Sequence, residues 1–192
     1  MQTLRALRAL VVFTLLTGVA YPLVFTLGAQ VAFPHQADGS LVEVSDEIVG
    51  SELIGQEWKG EEWFYGRPSG VNYDAAASGG VNLGPTSKAL SEQFRERSQA
   101  IIDLEAAYSR SVNVKDVPVD LLTASGSGLD PHISLAAAVF QAPRIAMIRG
   151  LSLERVQALI SEHTEPKTLG VWGQERVNVL RLNLALEELA PT

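Results

Sequence analysis

The sequence predicts an α+β fold, with one N-terminal transmembrane helix followed by a single extracytoplasmic domain of mixed helices and short strands. Residues 9–33 contain no charged side chain, and this uncharged run is long enough to cross a bilayer. Helical apolar spacing in 87–108, and short apolar runs separated by glycine- and proline-rich stretches, are typical of a mixed domain. The chain of 192 residues is 46% hydrophobic, which suffices for one buried core.

The charges on either side of the uncharged run predict its orientation. Arg5 and Arg8 precede it, whereas no lysine or arginine follows it before Lys59. Because positively charged flanks stay on the cytoplasmic side, we expect the N-terminus in the cytoplasm. A signal peptide cleaved near Ala20 is the alternative, but the apolar run continues well beyond that residue. The expected parts are a cytoplasmic tip at 1–8, a transmembrane helix at 9–33 and an extracytoplasmic domain at 34–192.

Small residues and a proline mark one face of the predicted span as a candidate for packing against a partner helix. Thr14 and Gly18 are four residues apart, so they form a small surface that permits close approach. Pro22 lacks the amide that would bond the Gly18 carbonyl, which predicts a kink. The alternative is that these residues are simply common in membrane helices.

Charge and composition exclude several classes of function. The net charge is −7 and the pI about 5.0, and an acidic chain without a basic stripe does not suit nucleic acid. The absence of cysteine excludes disulfides, thiol nucleophiles and cysteine-ligated metals. Three scattered histidines do not predict a metal site. Beyond residue 33 there are 13 basic and 22 acidic residues, a net charge of −9.

The first half of the external domain alternates short elements with a long loop. We expect a linker at 34–40, a strand at 41–44 and a helix from Ser87 to Tyr108. Seven acids lie between Glu43 and Glu62; they form either a solvated surface or a patch that concentrates cations. The segment 66–85 is rich in glycine and predicts a long ordered loop. The aromatic residues Trp58, Trp63, Phe64 and Tyr65 are expected to pack in the core.

The second half predicts a short strand and then three C-terminal elements. Residues 117–122 suggest the strand. Asp130 as N-cap and Pro131 at the first position predict a helix that runs to about Gln141 and is interrupted by Pro143. Further expectations are a helix from the Ser152 cap to about His163 and, for 179–189, either a strand or a helix, with Asn178 as a cap favouring the helix.

Two patterns suggest chemistry, and each has a structural alternative. The loop Ser125–Gly128, placed before the predicted helix, can present backbone amides to an anion such as nucleotide phosphate, although a loop that bends into a helix needs the same residues. Ser125, Asp130 and His132 resemble a hydrolytic triad. Because Asp130 is better used as a cap and no G-x-S-x-G turn is present, we expect no hydrolase. Arg144 and Arg149 favour ion pairs over substrate clamps.

Five motifs together resemble one known family, the C subunits (KdpC) of bacterial Kdp-type potassium-transporting ATPases. The resemblance extends over the whole chain, and the stretch Leu122–Ser134 is its most specific part. Val81 departs from the family, which usually has serine there. The motifs are YGRPS at 65–69, SGGVNLGP at 78–85, LTASGSGLDPHIS at 122–134, QAPR at 141–144, and VNVL at 177–180 with Leu182 and Asn183.

The resemblance implies a non-catalytic accessory subunit in the bacterial inner membrane. Its expected partners are a channel-like potassium-binding subunit, a P-type subunit that hydrolyses ATP and a small single-span subunit. The family is described as a catalytic chaperone that raises ATP affinity, so ATP is expected only through the complex, and potassium is the transported ion. An external domain that steers or gates cations is the alternative. Candidate contacts to subunits or nucleotide are Ser125, Gly126, Ser127, Gly128, Asp130, His132, Gln141 and Arg144, with no catalytic or metal-ligating residue.

Overall fold

The computed structural model describes residues 1–108 and 111–189, and the chain divides into two compact units. The first unit is Met1–Val49, and the second begins at Gly50. Helices and strands are both present, which confirms the mixed fold class with one N-terminal apolar helix. The elements before the long loop are α1 (Gln2–Leu15), a π-helical turn (Leu16–Ala20), α2 (Tyr21–Ala32), α3 (Pro34–Ala37), β1 (Leu41–Val44) and β2 (Glu47–Ser51).

A continuous apolar helix, Gln2–Ala32, makes up most of the first unit. Its length and composition are sufficient to cross a membrane, and its large apolar side chains are exposed. The helix begins before the uncharged run because Arg5 and Arg8 are also helical. A π-helical turn at Leu16–Ala20 lies directly before Pro22, a common way for a helix to accommodate a break in its bonding ladder, while the predicted kink itself stays a prediction.

The segment that follows is more ordered than predicted. Residues 34–40 were expected to be a linker, but Pro34–Ala37 form the one-turn helix α3, which proline favours at its first position. The predicted strand at 41–44 is confirmed and pairs with β2. Ser45 and Asp46 both have positive φ, as a two-residue hairpin turn requires.

The second unit combines a three-stranded antiparallel sheet with helices on a shared core. Its elements are α4 (Lys88–Ala107), two 3-10 turns (Val114–Asp116 and Val119–Leu121), β3 (His132–Ser134), α5 (Leu135–Arg149), α6 (Leu153–Glu162), β4 (Thr164–Glu165), β5 (Arg176–Asn178) and α7 (Val179–Glu188). The strand order is β3-β5-β4, with Ile133 and Thr164 both opposite Val177. Phe64, Ile133, Ile145, Val177 and Leu182 are among the fully buried core residues.

Side-chain caps explain why three predicted helices are confirmed. The side chains of Ser87, Ser152 and Asn178 accept hydrogen bonds from the amides of the first turns of α4, α6 and α7. The cap at Asn178 also resolves the ambiguous segment 179–189 as a helix. The aromatic cluster packs as expected, with Phe64 in the core and Trp58 and Trp63 against it.

Two predicted boundaries around β3 are wrong. Residues 117–122 form no strand, because Pro118 cannot donate to a ladder and the Asp120 carboxylate instead accepts bonds from the Ser134 amide and hydroxyl. The helix does not start at Asp130. It starts after Ser134, whose hydroxyl caps the Ala137 amide at 3.0 Å, because residues 132–134 pair with β5.

The predicted interruption at Pro143 is also wrong, since α5 continues through this proline to Arg149. The carbonyl left without its helical partner is that of Val139, which lies on the exposed side of the helix, where water can bond it. Packing of α5 against α6 and the sheet stabilises the rest of the helix. Gly150, with φ +65°, ends it in the left-handed conformation.

Candidate functional site

The glycine-rich loop and the segment 125–130 pack directly against each other through backbone hydrogen bonds. The Ser69 hydroxyl donates to the Gly128 carbonyl at 2.7 Å, the Gly79 amide to the Ser127 carbonyl at 2.8 Å and the Ser125 amide to the Pro68 carbonyl at 3.1 Å. Tightly paired loops of this kind use their polar backbone internally. The predicted loop is therefore ordered, and its function at this point is to hold 125–130 in place.

Close approach of the two loops requires glycine at Gly128. Its φ is +69°, and an added Cβ would lie 2.6 Å from Val71 Cγ2, a combination that other residues cannot adopt without strain. At Gly126, in contrast, an added Cβ would meet no atom within 4 Å. Ser125 and Gly128 are buried, whereas Gly126 and Ser127 are exposed.

The segment 125–130 does not lead into a helix, which corrects the basis of the expected anion site. A strand separates this loop from α5, so the N-terminus of α5, with its partial positive charge, does not directly follow it. Asp130 is not a cap. Its carboxylate accepts a hydrogen bond from the His132 amide at 3.0 Å and another from Arg67 Nη1 at 3.2 Å.

Five ionisable side chains, in which acids alternate with basic residues, form a row that includes Asp130. His132 lies between two carboxylates, with Nδ1 3.7 Å from Asp130 Oδ1 and Nε2 3.7 Å from Glu165 Oε1. Arg67 and Arg176 pair with the outer oxygens of these acids at 3.2 and 2.9 Å. Burial alone would raise the pKa of the Asp130 carboxyl, but the hydrogen bonds from His132 and Arg67 outweigh it and lower that pKa.

An open pocket of about 560 Å³ lies beside this row of charges. Arg67, Asp130, His132 and Arg176 contribute to its wall. Within the described residues no hydrogen bond joins Ser125 to His132, so the triad geometry that hydrolysis needs is not formed there. His132 also lies on β3, whereas a helix that begins at Pro131 would have placed it in the first helical turn.

Gln141 and Arg144 bond the aromatic segment from inside the core. The Gln141 side chain accepts from the Tyr65 amide at 2.8 Å and donates to the Tyr65 carbonyl at 3.2 Å. Arg144 Nη2 donates to the Trp63 carbonyl at 3.1 Å. Asn183 does the same for Phe64, accepting from its amide at 2.9 Å and donating to its carbonyl at 3.0 Å.

These three side chains supply the hydrogen bonds that a neighbouring strand would otherwise give to a partly buried segment without regular secondary structure. We call the contacts of Gln141, Arg144 and Asn183 with residues 63–65 the polar clasp. Sequence reasoning named Gln141 and Arg144 as candidate contacts but gave Asn183 no role. Its signal was a lone amide on the apolar face of α7, among Leu182 and Leu186.

Ion pairs account for both arginines of α5, as the sequence favoured. Arg144 is 1% exposed, and its Nε lies 3.3 Å from Glu105 Oε1. Its guanidinium also lies 4.9 Å from the centre of the Tyr65 ring. Arg149 pairs with Glu187 at 3.0 Å and lies over the Trp63 ring. Neither arginine is placed to clamp an external substrate.

Other predicted features are placed but not tested. Thr14, Gly18 and Pro22 are exposed on the apolar helix, and an added Cβ at Gly18 meets no atom within 4 Å, so their packing against a partner helix stays a prediction. Among residues 1–108 and 111–189, no group of three or more histidine, aspartate or glutamate side chains is arranged to hold a metal ion.

Comparisons with known proteins agree with the resemblance seen in the motifs. A family model described as K+-transporting ATPase, c chain, matches residues 3–188. The potassium-transporting ATPase KdpC subunit of Rhodospirillum rubrum is 54% identical over 98% of this chain and 98% of its own length. That of Polaromonas naphthalenivorans is 51% identical, over 94% and 91%, and that of Mycobacterium bovis is 47% identical, over 98% of each. The chain therefore belongs to the KdpC family of potassium-transporting ATPase subunits.

Proposed function

We propose that this chain is a non-catalytic accessory subunit that assembles and stabilises an ATP-driven potassium pump. One observation carries the proposal: the polar side chains of its most specific motifs are used inside the fold. Ser69 bonds Gly128, and Gln141 and Arg144 bond residues 63–65. Side chains committed to internal bonds in this way serve to hold a scaffold, and chemistry is then left to other subunits.

The proposed partners are the channel-like potassium-binding subunit, the P-type subunit that hydrolyses ATP and the small single-span subunit. The exposed helix Gln2–Ala32 supplies a surface for membrane helices of these partners. Thr14, Gly18 and Pro22 are the proposed packing face, since small residues permit close approach and a Cβ added at Gly18 would meet no atom of the described residues within 4 Å.

The proposed location is the bacterial inner membrane, with 1–8 in the cytoplasm, 9–33 across the membrane and 34–192 outside. The support is the pair Arg5 and Arg8 before the apolar run and the lack of basic residues from 34 to 58. An external domain cannot touch a cytoplasmic nucleotide. If the chain raises the ATP affinity of the hydrolysing subunit, the coupling then passes through the membrane helices.

The geometry of residues 125–128 does not favour direct contact with ATP, which the resemblance to the family had left open. The loop is followed by a strand and not by a helix, and the Ser125 amide is already bonded to Pro68. Only Gly126 and Ser127 of the four are exposed. A phosphate cradle needs several free amides directed to one point, so we place the nucleotide on the partner.

A second function, steering or gating of cations outside the channel-like subunit, is favoured by the acids in 43–62. Glu43, Asp46, Glu47, Glu57 and Glu61 are exposed. Exposed acids raise the local concentration of cations within about 8 Å at physiological ionic strength. Its signature is a potassium affinity that weakens when salt is added or when these acids are neutralised.

Removal of the chain from the pump tests the proposed function. We expect the purified complex without it to lose assembly or potassium-stimulated ATPase activity, and re-addition to restore both. Full activity of an intact complex without the chain would refute the proposal. Kinetics then separate the two functions: an altered KM for ATP indicates the chaperone function, whereas an altered apparent affinity for potassium alone indicates steering.

A further inference from the structure

The hairpin between β4 and β5 ends in three exposed apolar side chains. Leu169 is 80% exposed, Val171 71% and Trp172 65%. The Thr168 amide donates to the Trp172 carbonyl at 2.8 Å, and the Trp172 amide donates back at 3.0 Å. We call Leu169, Val171 and Trp172 the apolar tip. These backbone hydrogen bonds close the turn that carries the three side chains.

The exposure of the tip contrasts with the other tryptophans. Trp58 and Trp63 pack against the core, and their rings lie 5.1 Å apart. Isolated exposed apolar residues are normal on protein surfaces, but a contiguous group of them indicates a binding surface. Between 166 and 174 the only charged residue is Lys167.

An apolar groove of about 390 Å³ between α5 and α6 adjoins the hairpin. Leu135, Val139 and Ile160 line its apolar part, and Pro166 and Glu175, the two ends of the hairpin, complete its wall. The hairpin that carries the apolar tip therefore also borders the groove. Glu175 is exposed and makes no ion pair with any residue that the structure describes.

We propose that the apolar tip and this groove form the docking site for another subunit of the potassium pump, which contributes an apolar segment beside a basic side chain. The inference rests on the proposed function, because it needs a partner subunit. The basic group would pair with Glu175, and Trp172 would be the central anchor, as tryptophan commonly is at interfaces. A turn fixed before binding loses little entropy on docking.

Charge favours another subunit as the occupant over a lipid surface or a second copy of this chain. The chain after residue 33 carries a net charge of −9, and an anionic lipid surface attracts clusters of basic residues, of which the tip has only Lys167. A second copy would bring an equal negative charge towards the first. A different protein with a basic group at its rim meets neither penalty.

A single introduced thiol tests the proposal, since the natural chain has no cysteine. Val171→Cys reports on the tip, and Val114→Cys, at another exposed valine that lies beside α4, is the matched control. Each full-length variant is labelled with a maleimide as the assembled pump, as the chain alone in lipid vesicles, and as the chain alone in detergent at rising concentration. The labelled chain is identified by its mass of 20.7 kDa.

We expect labelling at position 171 to be slowed about tenfold or more in the assembled pump only, because reagent reaches the tip only when the contact opens, with no change at position 114. Equal slowing in vesicles of the chain alone would overturn the proposal in favour of lipid, and concentration-dependent slowing in detergent in favour of a second copy. Rapid labelling in a pump that retains the chain would overturn it while leaving the proposed function intact. A chain that does not co-purify at all would instead contradict the proposed function.

Discussion

Replacing Asn183 with leucine removes one member of the polar clasp without changing side-chain volume greatly. The substitution deletes both hydrogen bonds to Phe64, at 2.9 and 3.0 Å. Phe64 is fully buried, as is Asn183. The backbone amide and carbonyl of Phe64 then lose these bonds, because the leucine side chain has neither a donor nor an acceptor.

The expected loss in the free energy of unfolding follows from these two backbone groups. A buried group left without a hydrogen bond costs about 1–3 kcal/mol, so two such groups cost about 4 kcal/mol. Packing of the leucine side chain in the same volume offsets little of this free-energy loss, because the surrounding backbone groups are arranged to bond an amide. With an m-value of about 2 kcal/mol per molar urea, the urea midpoint falls by about 2 M.

Urea unfolding of the full-length chain in detergent, followed by tryptophan fluorescence, measures this loss. The matched control is Gln157→Leu, which replaces an exposed amide on α6 and is expected to change stability by less than about 0.5 kcal/mol. A loss below about 1 kcal/mol for Asn183→Leu, at an unchanged m-value, would refute the polar clasp as a stabilising feature.

Two further predictions concern the packed loops and the row of charges. Gly128 has φ +69° and no space for a Cβ, so Gly128→Ala should lower the free energy of unfolding by about 2–3 kcal/mol and the Tm by about 5–10 °C. The control Gly126→Ala should leave the Tm nearly unchanged. Equal effects of the two substitutions would contradict the loop geometry. Because the pKa of Asp130 is lowered on folding from its ordinary 3.8, its stabilisation is present above that pH and lost as the pH falls through the folded-state pKa. The urea midpoint of Asp130→Asn should therefore depend less on pH between about 3 and 5 than that of the wild type. The control Asp103→Asn, at an exposed position, should keep the wild-type dependence. Parallel curves for all three proteins would show that Asp130 does not contribute to the pH dependence of stability.

Local signals in the sequence were sufficient to predict those structural features that depend on a single residue or a single segment. The predicted caps at Ser152 and Asn178 each satisfy an amide within a single turn, so pattern and structure agree. The apolar helix was equally predictable, because an uncharged run of that length has few other arrangements. The family followed from motifs, and the comparisons confirmed it.

Features that depend on distant partners were not predictable in this way. Asp130 followed by Pro131 has every local sign of a helix start, but pairing of His132 and Ile133 with β5 extends the chain instead. Pro143 remains inside α5 because tertiary packing compensates for one lost bond. Both corrections are cases in which tertiary contacts override local propensity.

The partners of the candidate site were the least predictable part. Gln141 and Arg144 were named as candidate contacts to subunits or nucleotide, which stays a prediction, whereas their observed bonds go to residues 63–65, far away in the sequence. Nothing in a single sequence connects an amide on α7 with the backbone at Phe64. Sequence reasoning therefore found the residues and left their role open between ligand contact and internal support.

The side of the membrane on which the folded unit lies tests the central claim most directly. Glu92→Cys places a single thiol at an exposed position of α4, and Thr3→Cys places one before the apolar run. A membrane-impermeant maleimide is applied to intact spheroplasts and to inverted vesicles. We expect position 92 to be labelled only in spheroplasts and position 3 only in inverted vesicles, whereas the reverse pattern would place the folded unit in the cytoplasm and contradict the proposed topology.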